Sequence, residues 1–263
     1  MASQAPTNLP VLYHNLEPLN SQAHGKLSLR GLQKIAALGQ VHAIPLTVDE
    51  FALAQRHYPI IFSVGDNPVP LALMSLHEGQ NTFFDKDGEL LEPGTYIPAY
   101  LRRYPFLLAR LVEGSDELTL CFDQSSGAVG EFDDGQALFD ADLQPTDTTK
   151  ALLEFCEQFE AAGLRTSAFM AELATMGLLM DGEVSIQPEG SDAPAVYRGF
   201  QMIDEEKLRN LRGDELRKIN QNGILPLLFA HLFSLSVMRD IFARHDRQGS
   251  LPMVAPIAFP ANA

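Results

Sequence analysis

The chain has 263 residues, with 34 Asp and Glu against 19 Lys and Arg and a formal net charge of −15. An acid excess of this size excludes a phosphate-backbone binder, which needs a basic face, and it argues equally against docking on anionic lipid. With 46% hydrophobic and 20% charged residues, the chain has the apolar material for a core and is not a disordered tail.

Residues 1–23, rich in Pro, Asn, Gln and Ser, read as an extended lead-in. Met1–Pro6 has no basic region and no apolar run, so no secretory leader is expected there and a cytoplasmic location is. From 24 to 145 short apolar runs alternate with turn residues, the signature of strands. Val41–Leu46 reads as a strand. Val48–Tyr58 reads as a short helix stopped by Pro59. Ile60–Val64 and Leu71–Leu76 are expected to pair as an antiparallel hairpin, and so are Phe106–Val112 and Glu117–Phe122, joined by Glu113–Asp116. Asp85-Lys86-Asp87-Gly88 resembles the start of a calcium loop but lacks its later ligands; a tight turn is expected, with no metal and no cofactor. No internal repeat is evident along the chain.

From Asp147 the apolar period lengthens to that of a helix through Leu152, Phe155, Cys156 and Phe159, with Thr146 or Asp147 as N-cap. Gly163 is expected to end this helix, and Thr166 or Ser167 to cap a second one. Val184–Ile186 and Ala195–Tyr197 suggest a small hairpin across Pro188–Asp192. Asp204 is expected to cap a helix, Gly213-Asp214 to open another, and Asn222-Gly223 to close it. Ile224–Met238 is almost wholly apolar, yet at 15 residues, with Pro226 and His231 inside it, it reads as a buried core helix rather than a membrane span. The tail from 249 to 263 reads as flexible. The expected class is α+β, with a mainly antiparallel sheet in 24–145 and helices in 146–248 packed around the buried apolar helix, all in one integrated domain.

Chemistry is less legible. No nucleophile elbow, zinc-protease motif, phosphate loop or dinucleotide fingerprint is present. Cys121 and Cys156 are too few and too isolated for a disulfide framework and read as buried thiols. The most distinctive stretch is Tyr96-Ile97-Pro98-Ala99-Tyr100-Leu101-Arg102-Arg103-Tyr104-Pro105-Phe106. Pro98 opens a short helix and Pro105 must end it. Tyr100 and Tyr104 are then expected as neighbours one turn apart, with Arg103 beside them and Arg102 pointing elsewhere. Tyr100, Arg102, Arg103 and Tyr104 are therefore the candidate site for a small anionic or sugar-like ligand, since a guanidinium fork suits planar anions. The bland reading of the same residues is ion pairing with the chain's own carboxylates above packed tyrosines. His24 and His231 are outside candidates, of interest if the fold brings either near the arginines. Ten acids between 111 and 149, uninterrupted by Lys or Arg, offer a second surface, for a basic protein partner. Oligomeric state is not legible.

Several stretches resemble the SapC family of bacterial proteins, named for a surface-array gene. They are His24–Leu27, Pro45-Leu46 through Tyr58-Pro59-Ile60-Ile61-Phe62, Asn81–Gly88, Ile97–Phe106, Leu138-Phe139-Asp140, Gly199–Leu208, and Gly223–Leu225 into His231–Leu235. Where such proteins often carry a Trp after Asp87-Gly88, this chain has Glu89. The resemblance implies an accessory role in surface-protein (S-layer) export or TonB-dependent uptake. It carries no catalytic residues to this chain. A motif-free enzyme, hydrolytic in the manner of a peptidase or oxidative, is the alternative, and a docking protein using the acidic segment is another.

Overall fold

A computed structural model describes residues 9–31, 34–111, 117–186 and 195–248. The turns expected at 113–116 and 188–192, and the tail from 249, lie outside the described residues. The chain runs β1 (Leu16–Pro18), α1 (Ser21–His24), β2 (Ser28–Leu29), β3 (Ala43–Pro45), α2 (Phe51–Ala54), β4 (Ile60–Phe62), β5 (Pro70–Leu73), α3 (Ala99–Arg103), β6 (Phe106–Ala109) and β7 (Thr119–Asp123). It continues through β8 (Val129–Gly130), β9 (Gln136–Ala137), α4 (Asp147–Met176), β10 (Leu179–Ile186), β11 (Ala195–Ile203), α5 (Glu205–Arg209), α6 (Gly213–Gln221), α7 (Ile224–Ser234) and α8 (Met238–Arg247). The fold is α+β. Three antiparallel sheets have the orders β1-β7-β6, β10-β11-β4-β5-β3 and β8-β2-β9. Both expected hairpins of the N-terminal half form, β4 with β5 and β6 with β7.

The structure contains a repeat that the linear sequence hides. In one unit β3 pairs with β5 and β5 with β4; in the other β1 pairs with β7 and β7 with β6. Each inner hairpin starts at Tyr-Pro, Tyr58-Pro59 or Tyr104-Pro105. Leu73 N–H donates to Pro59 O at 3.0 Å, as Asp123 N–H donates to Pro105 O at 2.9 Å. Each outer strand ends in Pro-Leu: Leu46 N–H donates to Pro70 O at 2.9 Å and Leu19 N–H to Leu120 O at 2.8 Å. Each unit then closes on the same turn. Asp85 Oδ1 accepts from the N–H groups of Asp87 and Glu89, and Asp140 Oδ1 from those of Asp142 and Gln144, at 2.8–2.9 Å. Bridges Phe84–Leu90 and Phe139–Pro145 flank the two turns. The first unit, Ala43–Leu90, is threaded between β1 and the remainder of the second.

Helix α4 departs from expectation. It is a single helix of 30 residues capped by the Thr146 side chain, and it runs straight through Gly163. A mid-helix glycine costs about 1 kcal/mol, and the buried face formed by Cys156, Ala162, Thr166, Phe169, Met170 and Leu173 outweighs it. The helix stops instead at Gly177, which adopts φ 63°, with Leu178 N–H returning to Leu173 O at 3.1 Å, a left-handed glycine cap.

The β10–β11 hairpin is longer than expected, eight and nine residues, and extends the sheet of the N-terminal half through β4. Helix α7 covers that junction, where β11 and β4 share the single register pair Gln201–Phe62. Two strand N–H groups are met there by α7 side chains: Ile203 N–H donates to His231 Nε2 at 3.1 Å, and Ile60 N–H to Ser234 Oγ at 2.8 Å. The apolar stretch breaks at a 3-10 turn, Leu235–Val237, before α8. Taken together, Ile224–Arg247 is long and apolar enough to cross a membrane, although Leu228, His231, Ser234 and Ile241 on it are fully buried in the protein. The main core draws residues from both halves, from Leu12 to Phe242.

Candidate functional site

Helix α3 is held from its N-terminal side by a buried carboxylate. Glu50 Oε1 accepts from Ala99 N–H at 2.6 Å and from the Tyr96 hydroxyl at 2.9 Å, while Oε2 accepts from Thr47 N–H and Oγ1 at 3.0 and 2.9 Å. A carboxylate suits this position because the first N–H groups of a helix lack intrahelical partners. Pro98 and Pro105 bracket the helix as expected. It ends at Arg103, however, and Tyr104 is extended, so Tyr100 and Tyr104 do not stand one above the other on one helix face.

The two arginines part company. Arg103 is 7% exposed. Its guanidinium lies 4.0 Å from the Phe159 ring centroid and 4.8 Å from that of Tyr100, and Nη1 reaches Glu160 at 3.3 Å. Tyr100 is buried beside it and donates to Val11 O at 2.7 Å. Burial pushes the Tyr100 phenol up to about 12, with the Arg103 charge opposing the shift. Arg103 and Tyr100 therefore fasten the lead-in, α3 and α4 to one another. Arg102 faces solvent. Its Nε donates to Ile97 O at 3.1 Å and its Nη2 to the Tyr96 hydroxyl at 3.3 Å, and its charge lies 5.2 Å from the Phe155 ring centroid.

Arg102 and Tyr104 line a cleft of about 340 Å³. Its walls are Ile35, Leu38, Phe84, Leu90, Ile97 and Leu101, with Gly88 between them and Lys34 as a second cation. The half-buried Tyr104 ring, Lys34 and Ile35 also line a neighbouring cleft of about 310 Å³ that runs to His14 and Ser125. Burial pushes the Tyr104 phenol up to about 12, reinforced by the Asp123 carboxylate to which its hydroxyl is turned, so it stays protonated at pH 7. Gly88 is required: its φ is 79°, and a Cβ there would lie 1.9 Å from Ile35 O. Lys34 and the turn around Gly88 are the members that the sequence pattern did not single out. The tight turn at 85–88 was legible; its approach to Ile35 depends on tertiary packing.

The two histidines lie elsewhere. His24 Nδ1 accepts from Asn20 N–H at 3.0 Å, which leaves Nε2–H to donate to Glu17 at 3.1 Å, and the ring packs edge-on to Phe122. His231 stacks on Phe62 at 4.7 Å, and burial pulls its pKa down to about 4. None of these partners belongs to α3. A serine–histidine contact, Ser75 Oγ to His245 Nε2 at 3.2 Å, has the spacing of a nucleophile and its base. Both residues are fully buried, and Nε2 also accepts from Leu76 N–H at 3.2 Å, which makes the pair a fastening for α8. Burial pushes both thiols, Cys121 and Cys156, up to about 11, far from a nucleophile's range. Among the described residues no group of three His, Cys, Asp or Glu is placed to hold a metal ion.

One acid of the segment is withdrawn from the surface. Asp123 is fully buried, accepting from His14 N–H, Asn15 N–H and both donors of Ser125 at 2.6–3.2 Å. Asp140 is engaged in its turn, Glu131, Asp133, Asp134 and Asp142 are exposed, and Glu113 and Asp116 lie outside the described residues.

Sheet order and cleft define an α+β protein with an internally repeated strand–turn unit and a cation-rimmed, apolar-walled cleft. The SapC family model matches residues 19–241, and the chain belongs to that family. No curated protein and no solved structure matches it.

Proposed function

We propose that this protein binds a small amphipathic anion in the Lys34–Arg102 cleft and acts as an accessory protein rather than a catalyst. The observation that carries this reading is the cleft itself: six apolar side chains, the two cations Lys34 and Arg102, and the Tyr104 ring. That composition matches small-molecule sites, which are mostly apolar with a few orienting polar groups. Arg102 is fixed from below by Ile97 O and the Tyr96 hydroxyl, so little side-chain entropy is lost when it meets a ligand. Membership of SapC supports a role beside a bacterial surface-export or TonB-dependent uptake system, with the protein acting in the cytoplasm on a ligand such a system handles.

Ligand-induced thermal shift tests the site. Octanoate and 3-phenylpropionate, as probes of an apolar body with a carboxylate head, are expected to raise the melting temperature of the wild type. Arg102→Ala and Lys34→Ala are expected to keep their own unliganded melting transitions and to lose most of that rise. Equal shifts in wild type and both variants would overturn the assignment. Arg103→Ala is no test of ligand contact, because its guanidinium lies inside the aromatic cluster.

A further inference from the structure

Within this cleft reading, we infer that Glu89 is an internal competitor for the ligand's carboxylate, holding the Lys34 end of the cleft until a carboxylate displaces it. Glu89 Oε2 lies 2.9 Å from Lys34 Nζ, both side chains being about half exposed (59% and 51%). Glu89 sits between Gly88 and Leu90, two wall residues of the cleft, and Lys34 is itself a wall residue. Glu89 does not itself line the cleft, but its carboxylate is paired with the cation that a ligand there would seek.

The second unit shows that the turn itself does not need this charge. Gln144 occupies the equivalent position, its N–H donating to Asp140 Oδ1 at 2.9 Å just as Glu89 N–H donates to Asp85 Oδ1 at 2.8 Å. The backbone carbonyls of Glu89 and Gln144 accept from Asp85 N–H and Asp140 N–H, both at 2.9 Å. The bonds common to the two turns at this position run through the main chain; Gln144 adds one of its own, Nε2–H donating to Asp142 O at 3.3 Å. The Glu89 carboxylate is left with Lys34 as its partner. Two consequences follow. A ligand with a carboxylate replaces one ion pair with another at little net cost, whereas an uncharged ligand leaves the Glu89–Lys34 pair in place. The competitor also weakens carboxylate binding by no more than an exposed ion pair is worth.

Titration calorimetry with octanoate and 1-octanol on wild type, Glu89→Gln, Lys34→Gln and the double variant measures this. Glu89→Gln is expected to tighten octanoate about twofold to fivefold, the equivalent of roughly 0.4–1 kcal/mol, and to leave 1-octanol unchanged. In the Lys34→Gln background the same substitution is expected to change octanoate affinity by less than about 1.5-fold. Octanoate binding reduced by Lys34→Gln and Arg102→Ala but unchanged by Glu89→Gln would overturn the competitor role and leave the cleft standing. Octanoate binding indifferent to Lys34 and Arg102 would overturn the cleft reading and this inference with it. Glu89→Gln is expected to fold, since the equivalent turn is already built with Gln.

Discussion

The two strand–turn units share a register, a turn and two hydrogen bonds, one within the hairpin and one from the outer strand to it, yet two of the equivalent positions at which they differ separate their roles. Where the first unit has Leu73, fully buried in the main apolar core, the second has Asp123, equally buried but taking four hydrogen bonds from residues 14, 15 and 125. Where the first unit's turn has Gly88, the second has Leu143, also at positive φ, 59°. The Leu143 side chain lies over Gly25, so that a Cβ on Gly25 would sit 2.6 Å from Leu143 Cδ2. At Gly88 the Ile35 backbone comes down onto the turn instead, and the pair line the cleft. One backbone frame thus supports two uses. The first unit packs its strands into the core and presents its turn to a cleft; the second covers its turn with leucine and spends a buried charge on fastening the lead-in.

The largest expected effect comes from making the second unit resemble the first. Asp123→Leu removes an acceptor from four donors, three of them backbone N–H groups, and is expected to cost about 3–5 kcal/mol in urea denaturation. A loss below about 1 kcal/mol would show that the lead-in is held by packing alone.

Next in size is the pH response of the first unit's junction with β11. His231 titrates near 4 in the folded protein against about 6.5 when unfolded. The unfolded chain therefore takes up the proton first as pH falls. The imidazole's contribution, about 3 kcal/mol, is fully present above pH 6.5 and is lost as pH drops through 4. Stability measured from pH 7 to 4 in wild type and His231→Gln is expected to show a shallower decline in the variant. Parallel curves would mean that the ring is not held neutral.

The turns give the smallest effects. Gly88→Ala forces a Cβ into Ile35 O at φ 79° and is expected to cost about 1–3 kcal/mol. Leu143→Gly relieves positive φ while losing half-buried apolar surface, and is expected to stay within about 1 kcal/mol of wild type. Equal losses at both positions, read as shifts in melting temperature, would erase the distinction between the two turns.

The repeat was present in the sequence as Pro-Leu, Tyr-Pro and Phe-Asp-x-Asp, but three features conceal it. The second unit's outer strand precedes the whole first unit, the hairpin loops differ in length, and most matched positions require only an apolar side chain rather than a particular one. The site was half legible for a related reason. Pro98 and Pro105 mark a short helix bearing Arg102 and Arg103, and side-chain direction on a helix separates neighbouring residues. Which of the two arginines enters the core depends on Phe159 and Glu160, more than fifty residues further on.

By itself, the sequence determined what local hydrogen bonding and fixed backbone angles decide: a helix start at Thr146 or Asp147, the cap at Asp204, the Asp85 turn, both N-terminal hairpins and the proline-bracketed helix. It also determined the α+β class, because a period of two gives way to a period of 3.6 near Asp147. Tertiary structure alone decided that α4 runs through Gly163, that β10 and β11 extend the sheet of the other half, that Asp123 leaves the acidic surface for the interior, and that Lys34 and Arg102 line one cleft. Those outcomes rest on burial and on contacts between distant segments, whose free energies exceed the local preferences of a few tenths to about 1 kcal/mol that a sequence pattern records.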